Sequence, residues 1–166
     1  MQIINLTEKD LAYAKKCHEY RKSIKNSKSI HKTEEETTLF NLVGIIGEIC
    51  FKKLFPESVH IGDKNVDFIH NGKLVDVKCK HYNSFLITDD HEMSIPAYTL
   101  SKIINNLFYS VFILNHDFTK CYYFGTIPKD KYCLNSFFMK QGQGVFRVDS
   151  HVMKLNRLRK LAISEF

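Results

Sequence analysis

A chain of 166 residues, 44% hydrophobic and 13% aromatic, has the size of one domain and enough apolar material for a core, which excludes a disordered or fibrous protein. No apolar run approaches the ~20 residues of a membrane span, and the opening Met1, Gln2, Ile3, Ile4, Asn5, Leu6 lacks the basic-then-apolar plan of a secretory signal, so a cytoplasmic protein with no membrane partner is expected. Net charge +6 and a pI near 9.0 suit a polyanionic partner.

Residues 1–32 read as a basic helical segment and a linker. Thr7, Glu8, Lys9 and Asp10 open a helix whose apolar side is Leu11, Ala14 and Cys17, and 23–29 is a polar linker. Lys15, Lys16, Arg21, Lys22, Lys25, Lys28 and Lys32 crowd this third of the chain. Arg21, Lys22, Lys25 and Lys28 are its candidate phosphate contacts, the kind that supplies most non-specific affinity for nucleic acid. Taken singly, each is equally a solvated helix charge.

A second helix follows. Thr33, Glu34, Glu35 and Glu36 form a capping-box pattern before an apolar segment that runs to Phe55 and stops at Pro56. Leu39, Leu42, Val43, Ile46, Ile49, Cys50 and Leu54 recur at helical spacing, and the one acidic residue inside that run is Glu48. Gly44 and Gly47 flank it, and glycine costs a helix interior roughly 1 kcal/mol relative to alanine, so the pair marks a close approach to another backbone. The plain alternative is a solvent-facing Glu48 paired with Lys52 one turn on.

Next comes a hairpin. Asn71-Gly72 between two alternating runs predicts a type I′ turn, which pairs His70 with Lys73, Phe68 with Val75 and Asp67 with Asp76. Asp67, Asp76 and Lys78 then share one face, and Val66, Phe68, Val75 and Val77 the other. Facing carboxylates destabilise a ladder, and a divalent cation reverses the sign of that interaction. A solvated edge hairpin is the alternative. Asp63 is a second choice for the first aspartate, Lys80 on the same face a phosphate contact, and His81 and His91 ordinary polar residues.

Beyond it the pattern predicts a loop with Asp89, Asp90, His91 and Glu92, a helix over 98–109, a buried strand over 110–114, a turn at 116–120 and a strand over 121–127 that closes at Pro128. A loop at 141–144, a strand over 145–148 and a final basic helix capped by Ser150 complete the chain. That tail suits a homodimer contact, a DNA contact or plain packing equally well. Cys17, Cys50, Cys79, Cys121 and Cys133 form no Cys-x-x-Cys pair, which argues for reduced thiols and against a disulfide frame or zinc site.

Gly47-Glu48 in a helix, then Val66-Asp67-Phe68 on one strand and Asp76-Val77-Lys78 on the next, resembles the PD-(D/E)XK nuclease superfamily, the restriction-endonuclease-like fold. The likeness covers about residues 40–130, with the phage-encoded members among those it is similar to, and Val66 stands where a proline is usual. It implies an α/β fold with a central mixed β-sheet flanked by helices, forming a single domain. It further implies that Glu48, Asp67 and Asp76 ligate Mg²⁺, with Mn²⁺ able to substitute, and that Lys78 holds or activates the attacking water. The expected activity is a Mg²⁺-dependent endonuclease with DNA the favoured partner. A nucleic-acid-binding protein that keeps the fold without turnover, and an RNA-directed endonuclease, are the alternatives.

Overall fold

The computed structural model describes residues 1–24, 33–63, 66–101, 104–143, 148–163 and 166. The chain opens with strand β1 (Gln2–Asn5) and helices α1 (Glu8–Ile24) and α2 (Glu34–Leu54). Short β2 (Val59–His60) and β3 (Phe68–His70) lead into β4 (Lys73–His81). Then come β5 (Glu92–Pro96), α3 (Ala97–Leu100), β6 (Leu107–Leu114), β7 (Lys120–Pro128), α4 (Lys129–Asn135), β8 (Phe137–Met139), β9 (Ser150–Lys154) and α5 (Leu155–Leu161).

Six strands form the main sheet in the order β1-β7-β6-β4-β3-β2, and β5-β9-β8 form a second, antiparallel sheet. Only the central β4–β6 pair is parallel among the described strands. The molecule is thus mixed α/β with helices flanking a mixed sheet, as the sequence predicts. β6 reads as a near-continuous apolar run because both of its faces are covered, whereas β4 alternates. On one face Val75, Val77, Phe112 and Leu114 meet Val43, Ile46, Cys50 and Phe51 of α2 and Ala14 of α1. On the other, Tyr109, Val111 and Ile113 pack with Met93 and Ile95 of β5, Tyr132 of α4 and Leu155 and Leu158 of α5. Each Val, Leu, Ile, Phe or Met among these contributes up to roughly 1.5–3 kcal/mol over leaving it in water.

α2 forms as its ends predict: Thr33 is extended and its side chain accepts from the Glu36 N–H at 3.1 Å, and Phe55 closes the last turn with a bond to the Phe51 carbonyl. Gly47 is where α2 sits on β4, since a Cβ there would stand 2.5 Å from the Cβ of Cys79. Gly44 meets nothing within 4 Å and carries no such constraint.

Several elements depart from expectation. The helix over 98–109 is a single turn, α3, because Asn106 takes a left-handed φ of 57° and Leu107 starts the strand beside Leu74. The predicted loop holds over 89–91, and its last residue, Glu92, already belongs to β5. Residues 145–147 of the predicted strand over 145–148 lie outside the described residues, as do 25–29 of the linker. Ser150 starts β9 and does not cap a helix; α5 begins only at Leu155, with no side-chain cap at Lys154. No helix among the described residues is long and apolar enough to cross a membrane.

Candidate functional site

Asn71 and Gly72 both have positive φ, 47° and 72°, the pair of values a two-residue type I′ turn requires. The turn sets the expected register, His70 with Lys73 and Phe68 with Val75. Past Phe68 the ladder changes. The Asp67 N–H also donates to the Val75 carbonyl, at 2.8 Å, so two successive residues address one partner in the manner of a β-bulge. Alternation breaks there: Phe68 packs toward α2, whereas Val66 packs with Tyr109 and Val111 on the opposite face of the sheet. Val66 therefore does not share a face with Phe68, Val75 and Val77. Asp67 does not simply face Asp76 either; its Oδ2 accepts from the Val77 N–H at 2.7 Å, capping β4 where its hairpin partner peels away.

Asp76 is buried at 8% exposure, and the Lys78 ammonium lies 2.7 Å from its Oδ2. The same ammonium stands 5.4 Å from the ring centroid of Tyr109, the register neighbour of Asp76 on β6. The Tyr109 hydroxyl is buried with no hydrogen-bond partner among the described residues. Burial, and then the Asp76 charge, push its pKa up.

Glu48 comes from α2, one residue after the glycine that seats the helix on β4. Its side chain is only 15% exposed and turns toward α1 and β2. Arg21 holds it with both guanidinium nitrogens, at 3.0 and 2.6 Å, and the His60 Nε2 lies 3.5 Å away. Lys52 is not its partner, because that ammonium donates to the carbonyls of Pro56 and Ser58, each at 2.6 Å.

Asp67 feels both of the other carboxylates. The Asp67 pKa is pushed up to about 7, by burial first and then by the charges of Asp76 and Glu48, against the opposing pull of the Val77 N–H and Lys78. Carboxylates are the hard oxygen donors that a divalent cation such as Mg²⁺ takes, and a cation bound here would compete with the proton on Asp67. Among the described residues, however, no group of three His, Cys, Asp or Glu side chains stands at metal-holding spacing. The internal cations account for this: Arg21 draws Glu48 toward α1, and Lys78 engages Asp76.

The remaining candidates scatter. Arg21, expected to face phosphate, holds Glu48, and Lys22 pairs with Glu34 on the surface at 2.7 Å. Lys25 and Lys28 lie outside the described residues. Lys80 donates to the Tyr82 hydroxyl and the Glu92 carbonyl, beside the Tyr82 ring. His81 stacks on Phe118, and His91 contacts the Thr88 N–H. His60 and Tyr109 are the site neighbours that sequence reasoning missed. Neither lies in a motif, and Tyr109 reads as the end of a helix until its strand pairing is known. No protein-family model and no curated protein matches this chain.

Proposed function

We propose that the chain is a metal-dependent nuclease of the PD-(D/E)XK type that hydrolyses phosphodiester bonds of nucleic acid, DNA foremost. The observation that carries this is the Asp67 carboxyl, raised to about 7 by burial first and then by the charges of Asp76 and Glu48, with the Lys78 ammonium 2.7 Å from Asp76. A buried carboxylate in the field of two others is unfavourable, so Asp67 beside Asp76 and Glu48 favours a cation that compensates it. Glu48, Asp67 and Asp76 would hold the cation, which when bound supplies positive charge to the scissile phosphate and lowers the pKa of the attacking water.

The chain's own groups have separate tasks. Lys78 donates toward the attacking water or the developing negative charge, its ammonium steadied between Asp76 and the Tyr109 ring. Val77 N–H fixes the Asp67 carboxylate against β4. Arg21, the partner of Glu48 here, would turn to an incoming phosphate once a cation takes over Glu48.

A non-catalytic nucleic-acid-binding protein is the second reading, favoured by the engagement of Glu48 and Asp76 with internal cations. One experiment separates the two: labelled single-stranded, duplex and branched DNA and RNA incubated with Mg²⁺, Mn²⁺ or EDTA, for wild type and Asp76→Asn. Metal-dependent cleavage lost in Asp76→Asn supports the nuclease. Tight binding with no cleavage under either metal establishes the binder, and full activity in Asp76→Asn removes Asp76 from the chemistry.

A further inference from the structure

We infer that the cleft between α1 and α2 seats an unpaired base of single-stranded DNA beside the carboxylate cluster, so that a single strand binds in preference to a blunt duplex. The cleft has a volume of about 600 Å³. Tyr13, Tyr20 and Arg21 of α1 form one wall, Ile45 and Ile49 of α2 another, and His60 and Phe68 the end nearest β3. Glu48 and Arg21 line this cleft and both feel the charge of Asp67, so an occupant lies next to the Asp67 side of the acidic site.

Size, lining and charge each narrow the occupant. The volume is that of a site for a small planar group and not for a segment of duplex. Its walls are apolar and aromatic, and Tyr13 and Tyr20 are 60% and 69% exposed. Seven residues apart, they stand two helical turns and about 10 Å from each other on one side of α1. Exposed tyrosines along an apolar cleft offer faces on which any base can stack. At the rim, Arg21 is matched by Glu48 and Lys53 by Asp10, whereas Lys52 is held by two neutral carbonyls and keeps its positive charge for a phosphate. Lys15 and Lys16 add exposed positive charge on α1.

The inference rests on the nuclease reading for the reacting strand beside Asp76, but the binding is measured without turnover. Fluorescence anisotropy of the wild-type chain in EDTA is recorded with labelled oligo(dT) and with a blunt hairpin duplex. The single strand is expected to bind more tightly. Tyr13→Ala and Tyr20→Ala should each weaken it by about tenfold while leaving its slope against log[salt] unchanged, because stacking releases no counterions. Tyr13→Phe and Tyr20→Phe should bind as wild type does, and matching thermal melts show that these exposed positions leave the fold intact. Equal affinity for the two probes, no binding of either, or alanine variants within twofold of wild type would overturn the inference. Metal-dependent cleavage that is indifferent to both tyrosines overturns it while leaving the nuclease standing. Tyrosine-dependent binding of the single strand without any cleavage upholds the cleft and defeats the nuclease.

Discussion

Replacing Asp67 by asparagine is expected to stabilise the protein at pH 8 and to change it little at pH 4. The Asp67 pKa stands at about 7 in the folded chain against its ordinary 3.8, so the folded state binds the proton more tightly than the unfolded one. Between those values the unfolded state has already lost the proton that the folded state keeps. Stability therefore falls as pH rises from about 4 to about 7 and is level above that. Three powers of ten in proton affinity, at about 1.4 kcal/mol each, set a ceiling of about 4 kcal/mol on the loss. Asparagine removes the charge yet keeps an oxygen for the Val77 N–H, so about 2 kcal/mol of that ceiling should reappear as added stability at pH 8. At this chain length that amounts to a rise in Tm of roughly 4–8 °C. Thermal melts of both proteins at pH 4, 6 and 8 measure the difference, which cancels the titration of other groups. Adding Mg²⁺ at pH 8 should raise the Tm of wild type and not of the variant, a readout independent of activity. A variant no more stable than wild type at pH 8, or a difference that does not grow with pH, would refute the reasoning.

Arg21→Ala takes the bidentate partner from a mostly buried Glu48 and should cost about 1–2 kcal/mol in urea melts, discounted for the partial exposure of Arg21, with Mg²⁺ restoring part of the loss. Lys78→Ala should lower the cleavage rate by roughly 10²-fold or more while single-strand affinity in EDTA stays near wild type, which gel assays and anisotropy read separately. Gly47→Ala should destabilise by about 2 kcal/mol or more, because its methyl group would press on the Cβ of Cys79, whereas Gly44→Ala should gain up to about 1 kcal/mol as a better helix former in open space. A Gly44→Ala loss as large as that of Gly47→Ala, in paired denaturation curves, would refute the assignment of the close α2–β4 approach to Gly47 alone.

What the sequence by itself determined is what neighbouring residues decide. Thr33 caps α2 and Pro56 ends it, Asn71-Gly72 turns the hairpin, and the alternation in 73–81 places Asp76 and Lys78 on one face, because cap, turn and pleat are set within a few bonds. Glu48 stood out for the same reason, as the one acidic residue inside an apolar run. The tertiary structure alone decided the rest. Arg21 reaches Glu48 across 27 residues of chain, Val66 crosses to the other face of the sheet through the irregularity at Asp67, and 107–109, the end of the expected helix, pair with β4 instead. The strands around the second sheet were equally hidden, since β8 and β9 owe their existence to each other and to β5. Long-range contacts of this kind leave no periodicity in the sequence. The raised proton affinity of Asp67 is their product, arising from burial and from carboxylates brought together by three separate elements.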